Sequence, residues 1–271
     1  RIVDNFSWYS IGAFSNFGSE GALYLIDSTV ASNGGTGTIA NYSFLFVSGS
    51  TIADNSHDGV TVDSSSFGEI VMLNSTVSGN SLFNGFVSGV AVEGDGYLRN
   101  VTLAANSNEP ALDVDSDEGT VFLKNVVVGL TTGDDNCSPF WNGAVDMGGN
   151  LSDDNSCPPF FGELTGLDPV LADNGGPTET HALLPGSSAV DAGGACGLAP
   201  DQRGFLRDAA CDSGAFELGA LESVGGVLTG IDGIRVRCLN QTSGQSADIA
   251  LGGGKAPARS GGSADGGPDW S

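Results

Sequence analysis

"STVSGN" at residues 75–80 is one copy of a short phrase that the chain repeats. The other clear copies are STVASN at 28–33, STIADN at 50–55 and VTLAAN at 101–106, so the closing asparagines stand 22, 25 and 26 residues apart. A weaker fifth copy, VVVGLT at 126–131, has Thr131 in the asparagine position. Repetition with this period predicts a solenoid, whose repeats bury their apolar faces only by stacking on one another.

Short alternating apolar stretches lie between the copies and indicate the kind of solenoid. They include GALYLIDS from Gly21, GEIVMLNS from Gly68, GYLRNVTL from Gly96 and GTVFLKNV from Gly119. These stretches read as strands bounded by Gly, Asn, Asp and Ser, and helix signals are nearly absent. A leucine-rich repeat would need regularly spaced leucines. The sequence therefore predicts an all-β fold, a right-handed parallel β-helix over residues 1–131.

The repeated phrase has a structural interpretation in such a fold. Coils stack about 4.8 Å apart, so equivalent residues lie above one another and identical amides can form a ladder. The predicted aliphatic stack is Val30, Ile52, Val77, Leu103 and Val128, and the predicted amide ladder is Asn33, Asn55, Asn80 and Asn106. Asparagine also tolerates the left-handed backbone of a sharp corner. We interpret the four asparagines as structural residues and not as ligands.

The charge balance limits the partners. A net charge of −24, from 9 Lys plus Arg against 33 Asp plus Glu, argues against nucleic acid and anionic lipid. No run of 18 apolar residues predicts a membrane span. Acidic residues concentrate at 111–120, where Asp113, Asp115 and Asp117 share one strand face. This set could hold Ca²⁺, or it is a solvated acidic face; no other cofactor is expected.

Five cysteines are consistent with an oxidising compartment, and the absence of a C-x-x-C pair argues against zinc. Local pairing predicts disulfides between Cys137 and Cys157 and between Cys196 and Cys211, each closing an irregular, proline-containing loop. Either loop closure would contribute roughly 3 kcal/mol in the chain-entropy model. Cys238 is then left as a buried thiol, as the partner of a residue in a longer precursor, or in an intermolecular bridge.

The repeat can no longer be recognised after about residue 131, and the character of the sequence changes. The distinctive stretches are Asp168-Pro169, LADNGGPT from Leu171, HALLPGSSAVDAG from His181, DQRG from Asp201 and DSGAFE from Asp212. In these residues the chain resembles the choice-of-anchor Q proteins, bacterial surface proteins in which a right-handed β-helix ends in such a segment. The resemblance implies a secreted, surface-associated protein, and the family has no established catalytic residues to transfer.

Residues 132–217 are accordingly expected to form a loop-rich cap held by disulfides. An open last coil exposes unpaired backbone groups, which a cap would cover. Arg203 is predicted to anchor the loops through a charged hydrogen bond to Asp201, Asp212 or Glu217. His181 is expected to pack within this cap.

The remaining residues divide into two further parts. Residues 218–251 contain short strands and predict a small β module, whereas residues 252–271 have the composition of a glycine-rich linker. At the other end, IVDN closes at Asn5 in the manner of a repeat. A chain that starts within a coil predicts head-to-tail self-association, with a filament as the outcome if the contacts do not close into a ring.

Three functional classes fit the sequence. We expect a secreted structural or surface protein without catalytic activity; a carbohydrate-binding adhesin is the first alternative. A polysaccharide lyase or hydrolase on the same fold is the second. A lyase would need a base, for which the coils offer Arg1, Arg99 and Lys124, and a hydrolase would need two carboxylates from the set at 113–117. Aromatic residues that could stack on sugars look scattered.

Asparagine-linked glycans are a further candidate feature. Asn-x-Ser/Thr sequences occur at Asn5, Asn41, Asn74, Asn100, Asn150 and Asn240. Asn74 and Asn100 stand one repeat apart, so a row of glycans is conceivable if both face outward. The repeat is itself rich in Asn, Ser and Thr, so these sequences are also explained without any attached glycan.

Overall fold

The computed structural model describes residues 2–3, 14–16, 21–34, 38–56, 59–62, 68–81, 89–116, 119–195, 200–220, 235–239 and 246–250. Arg1–Glu222 form one compact unit and Ser223–Ser271 form a second. Every regular element within the described residues is a β-strand. A helix with the length and apolar character to cross a bilayer is not found among them.

The first unit is a parallel β-solenoid. One sheet contains β1 (Ile2–Val3), β3 (Ala22–Ile26), β4 (Thr29–Ala31), β6 (Phe44–Ser48), β7 (Thr51–Ala53), β9 (Glu69–Ser78), β11 (Asp95–Ala104), β13 (Val121–Gly129), β15 (Ala144–Asp146), β16 (Leu151–Ser152) and β17 (Gly162–Glu163). The second contains β2 (Phe14–Asn16), β5 (Ile39–Asn41), β8 (Val60–Val62), β10 (Val90–Val92), β12 (Leu112–Asp115) and β14 (Cys137–Asn142). All pairings in both sheets are parallel. The predicted all-β solenoid is confirmed.

Strand register places the repeated phrase in columns. Val30 pairs with Ile52, Ile52 with Val77, Val77 with Leu103, and Leu103 with Val128. These five side chains are at most 1% exposed and form part of a core that runs through the coils. The decayed copy at 126–131 therefore keeps its place in the stack.

The asparagines of the phrase form a continuous ladder. Oδ1 of Asn55 accepts hydrogen bonds from the backbone N–H and Nδ2 of Asn33 at 2.9 and 3.0 Å. Asn80 receives the same pair of bonds from Asn55, and Asn106 receives it from Asn80. Each Nδ2 also donates to a carbonyl of the preceding coil, as from Asn80 to Ile52 at 3.1 Å. In the next position, Oγ1 of Thr131 is buried without a hydrogen-bond partner among the described residues.

The left-handed corners lie beside the ladder and not in it. In each coil the residue with positive φ directly precedes the ladder position, and these residues are Ser32, Asp54, Gly79, Ala105 and Leu130. A second column of left-handed corners joins the two strand segments of each coil and consists of Asp27, Gly49, Asn74, Asn100, Asn125 and Gly149. The expectation that the ladder asparagines themselves occupy the corners was wrong. Their side chains, and not their backbone freedom, explain why the phrase ends in Asn.

The C-terminal end of the core is covered by aromatic rings. Trp141, Phe160 and Phe161 pack against the core with ring centroids 5.3 to 6.5 Å apart. The predicted disulfide between Cys137 and Cys157 is present beside them, with the two Cα atoms 4.9 Å apart. This part of the chain therefore acts as the expected end cap.

Residues 166–220, which we call the flank segment, pack along the side of the coils instead. They include the antiparallel pair β18 (Leu167–Ala172) and β19 (Thr180–Leu183). A second apolar core joins them to the outer face of the solenoid. It contains Ala104, Val127, Leu151, Leu164, Leu167, Leu183, Ala189 and Phe216. The expected cap thus has two parts with different positions, because only residues before about 166 reach the open end.

The second unit contains one antiparallel hairpin among its described residues, formed by β20 (Arg235–Leu239) and β21 (Ser246–Ala250). It falls within the small β module predicted at 218–251. Cys238 lies in β20 and pairs in register with Ala247; its side chain, like the tail at 252–271, lies outside the described residues.

A central rung of the ladder should contribute strongly to stability. We expect Asn80→Ala to lower the free energy of unfolding by about 3 kcal/mol, because several buried donors and acceptors lose their partners at about 1–3 kcal/mol each. Thr131→Asn should raise it by about 1 kcal/mol by adding a rung above Asn106. Urea denaturation measures both.

Asn155→Ala is the matched control for Asn80→Ala, because this asparagine is exposed. It should change the free energy of unfolding by less than about 0.5 kcal/mol. Equal losses in the two alanine variants would show that the ladder adds nothing to stability.

Candidate functional site

The flank segment meets a column of threonines on the solenoid. Thr51 and Thr76, which are registered neighbours and fully buried, both bond to the side chain of Gln202 at 2.9 and 2.7 Å. Thr51 Oγ1 also donates to the Glu179 carbonyl, and Thr102 Oγ1 accepts the Ala215 N–H. The second letter of the repeated phrase is therefore the docking position for the flank segment.

The flank segment also contacts the second column of left-handed corners. Thr178 donates to the Gly49 carbonyl at 2.8 Å, and the Gly214 N–H donates to the Asn125 carbonyl at 2.9 Å. Gly214 has φ +89°, and a Cβ there would lie 2.8 Å from Thr102 Oγ1. Only glycine can approach the coil this closely without displacing it.

Arg207 is the central charged group of this interface. Its side chain is 0% exposed and forms an ion pair of 3.1 Å with Glu217. It donates further bonds to the Gly214 carbonyl and to Oδ1 of Asn74 on the solenoid. Burial lowers the pKa of Arg207, and the nearby carboxylates, Glu217 first, oppose that shift. A guanidinium carries five N–H donors, so it can bond to several acceptors at once at a site from which water is excluded.

Arg203 forms a second, smaller anchor. Its Nε and one terminal nitrogen donate to Asp201 at 2.9 and 2.6 Å, and it also donates to the Glu217 carbonyl. Its guanidinium carbon lies 3.7 Å from the ring centroid of Phe216 and 4.4 Å from that of Phe205. Of the three carboxylates named for Arg203, the structure pairs it with Asp201; Glu217 binds Arg207 instead.

Asp212 links the loops around these arginines. Its carboxylate accepts the N–H groups of Asp191 and Leu218. Burial is the largest cause that raises the pKa of Asp212 to about 6, with those hydrogen bonds acting in the opposite direction. Asp212 therefore contributes to the network as a hydrogen-bond acceptor and not as the partner of Arg203.

His181 is buried between β18 and the coils. Its Nε2 lies 2.7 Å from Ser78 Oγ, and its Nδ1 lies 2.8 Å from the Asp168 carbonyl. The carbonyl can only accept, so Nδ1 carries the proton and Nε2 accepts the Ser78 hydroxyl. Burial lowers the pKa of His181, while its hydrogen bond to Asp168 and the charges of Asp168 and Asp54 oppose the shift. The ring is thus a neutral packing and bridging group.

The described glycosylation candidates have internal roles. Asn100 is 2% exposed and donates to Asn74 Oδ1 at 3.2 Å, and its own Oδ1 lies 2.8 Å from the side-chain amide of Asn125, so these three amides form a second column. Asn150 is also 2% exposed, and its Nδ2 donates to the Leu123 carbonyl and Asp146. Asn100 is buried and the Asn74 side chain is bonded to Arg207 of the flank segment, which removes the geometric basis for a glycan row. Asn5, Asn240 and the Asn41 side chain lie outside the described residues.

The acidic set and the basic residues lie on different sheets. Asp113 and Asp115 point outward from β12, whereas Arg99 and Lys124 are registered neighbours on β11 and β13. Burial raises the pKa of Asp113, with a smaller lowering by Ser138 and a smaller increase from Asp115. No group of three metal-ligating side chains occurs among the described residues, which do not include Asp117. The arrangement does not bring a base and the acids together as a lyase site requires.

Only one member of the second predicted cysteine pair lies among the described residues. Cys211 is disulfide-bonded and fully buried. Cys196, its predicted partner, and Arg1 lie outside the described residues.

An exposed apolar column is the feature that sequence reasoning missed. Register places Tyr24, Phe46, Val71, Tyr97, Phe122 and Val145 in one outward-facing column, which we call the outer stripe. Tyr24 is 60% exposed and Phe122 is 40% exposed. The signal was present in the sequence, because Tyr24, Phe46 and Tyr97 each precede their ladder asparagine by nine residues.

Comparison of the chain with protein-family models, with curated proteins and with solved structures finds no match.

The buried Arg207 should be the strongest single anchor of the flank segment. We expect Arg207→Met to lower the free energy of unfolding by about 3–5 kcal/mol, because it leaves Glu217 buried without its counter-charge. Adding Glu217→Gln should recover part of this loss. Chemical denaturation of the single and double variants measures the coupling.

Lys124→Met removes the same charge from the coils, where the side chain is only half buried. It should cost less than about 0.5 kcal/mol. If Arg207→Met were no more costly than this control, the ion pair would not hold the flank segment.

His181 should make stability depend on pH. Its pKa is lowered in the folded state, so the unfolded chain binds the extra proton as the pH falls below about 6.5. The stabilisation from the neutral ring is therefore present above that pH and lost below it. The difference in unfolding free energy between wild type and His181→Gln should narrow as the pH falls from 7 to 5.

Comparing wild type with the variant separates this effect from Asp212, whose raised pKa acts in the opposite direction between about 4 and 6. The chain has two histidines, so a His57→Gln variant leaves only the imidazole NMR signals of His181 and provides a direct check. A titration of His181 at or above pH 6.5 would contradict the neutral bridging role.

Proposed function

We propose that this chain is a non-catalytic extracellular protein that works as a rigid element of a surface. The observation that supports this most is the use of its buried ionisable groups. His181, Arg207, Asp212 and Glu217 are all bonded to the backbone or to each other between the flank segment and the coils. Groups engaged in this way are not free to bind a substrate or to exchange a proton with it.

The cysteines support the extracellular location. Cys137 and Cys157 form a disulfide, and Cys211 is disulfide-bonded as well. Disulfides persist in oxidising compartments and are rare in the cytosol. The net charge of −24 suits a protein that must remain soluble at a surface.

A polar cavity among the described residues does not favour an enzyme. It has a volume of about 250 Å³ and is lined by Thr29, Asp173, Gly176, Pro177, Thr178 and Glu179. This lining contains carboxylates but no lysine, arginine or histidine. A lyase base is therefore missing from it.

A surface role need not involve a filament. Head-to-tail assembly requires the aliphatic stack to be open at both ends. Trp141, Phe160 and Phe161 cover the C-terminal end of the core, so these rings would have to move before another coil could stack there. We therefore base the proposal on a single rigid solenoid, and treat self-association through its ends as a separate question.

Two measurements on the natural protein test the proposal. Antibodies against the whole chain should label intact, unpermeabilised cells of the producing organism or detect the protein in the medium. Mass spectrometry without reduction should recover the Cys137–Cys157 peptide pair. An antibody to a cytosolic protein is the control. Labelling that appears only after permeabilisation would rule out the extracellular location.

The catalytic alternative is tested with the purified protein on a panel of neutral and acidic polysaccharides, with and without Ca²⁺. We expect no new reducing ends or unsaturated products. Cleavage that disappears in Asp113→Asn or Arg99→Ala would overturn the non-catalytic proposal.

A further inference from the structure

The outer stripe follows the solenoid axis on the face that the flank segment leaves open. Tyr24 pairs in register with Phe46, Phe46 with Val71, Val71 with Tyr97 and Tyr97 with Phe122. Neighbouring coils are about 4.8 Å apart, so the six positions from Tyr24 to Val145 extend over roughly 24 Å. Apolar side chains on the opposite side of each strand fill the core. The outward ones have no such internal role.

Several members of the stripe are strongly exposed. Tyr24, Phe122 and Val145 are 60%, 40% and 39% exposed, and Ile26 and Met147, next to the stripe, are 55% and 44% exposed. Phe44 and Phe46 both contact the Tyr24 ring, with centroids 5.9 and 6.0 Å away. An apolar patch of a few hundred Å² is the size of the largest patch on a typical protein, and such a patch is often functional.

The edges of the stripe carry matched charges. On one side, Glu69 and Asp95 are registered neighbours. On the other side, Arg99 and Lys124 are registered neighbours. Two acids and two bases make this face close to neutral on a chain with a net charge of −24. The central part of the stripe therefore has two carboxylates at one edge and two cationic side chains at the other, and these four charges together do not favour an anion.

The dimensions of the stripe favour a narrow ligand over a protein. The outward residues on either side of it are two positions away along the strand, which makes the face about 13 Å wide. A strip of that width and length covers roughly 300 Å², whereas a stable protein interface needs about 800 Å² per partner. The overall negative charge also disfavours a second copy of the chain.

We propose that the outer stripe binds a neutral, extended polysaccharide chain that lies along the solenoid axis. Sugar rings present C–H faces that pack on Tyr24, Phe46, Tyr97 and Phe122, and the tyrosine hydroxyls keep a polar end for sugar hydroxyls. The charged residues at both edges bond to the equatorial hydroxyls of the same chain. This inference adds a ligand to the proposed surface role and does not depend on where the protein is located.

The test uses the purified full chain with insoluble cellulose, chitin, β-1,3-glucan and starch, and with polygalacturonate as an anionic polymer. Calorimetry with the matching disaccharide and hexasaccharide follows. We expect binding to at least one of these polymers and a higher affinity for the hexasaccharide than for the disaccharide. Tyr97→Ala and Phe122→Ala should each weaken binding about three- to tenfold, the range for loss of one stacked ring. Tyr97→Phe should keep most of the affinity.

Val170→Ala and Leu184→Ala are the matched controls, because these side chains are 60% and 41% exposed but lie in the flank segment. They should leave binding unchanged. The proposal fails if no polymer binds, or if binding is the same in the stripe variants and the controls. It also fails if the protein binds only anionic polysaccharides, with strong salt dependence and loss in the Arg99→Ala/Lys124→Ala variant.

Sedimentation velocity tests whether a second copy of the chain, instead of a polysaccharide, binds the outer stripe. Self-association that depends on concentration and disappears in Tyr97→Ala would identify a second copy of the chain as the partner, and would overturn the proposal. A monomer with intact glycan binding would support it.

Discussion

The in-register parallel stacking of coils determines the rest of this structure. Because each coil lies directly above the one before it, any position of the repeat becomes a column of identical contacts. One column is the aliphatic core through Ile52, a second is the amide ladder through Asn80, and a third is the threonine docking line through Thr76. A single short phrase therefore supplies the core, the corner bonds and the interface for the flank segment.

The flank segment changes how such a solenoid holds together. In a simple repeat protein each unit contacts only its neighbours, so stability is nearly a sum of local terms. Here Gln202 bonds to Thr51 across 151 residues of sequence, and Arg207 bonds to Asn74 across 133. The same segment bonds to Gly49 through Thr178 and to Asn125 through Gly214, and these two corners belong to coils that do not pair with each other. We infer that the coils and the flank segment unfold together as one cooperative unit.

The coils were predictable from the sequence because the spacing of the phrase is also the spacing of the contacts. The position of the flank segment was not, since its bonds to the coils repeat no sequence pattern. Arg203 and Arg207 illustrate the difficulty. They lie four residues apart, and only the packed fold shows that the Arg207 side chain is 0% exposed whereas that of Arg203 is 7% exposed. The outer stripe was readable from its constant offset to the ladder, but composition alone made the aromatic residues look scattered.

The flank segment also fixes the number of coils that it spans. It bonds to the corners at Gly49, Asn74, Asn125 and Gly149, and to Thr102 on the coil between Asn74 and Asn125, so it contacts five consecutive coils. Repeat proteins ordinarily gain and lose units by slippage, because an added unit disturbs only its neighbours. In this protein an inserted or deleted coil would move every later corner by about 4.8 Å relative to a fixed chain. Coils can therefore be added or lost only outside the part of the solenoid that the flank segment contacts.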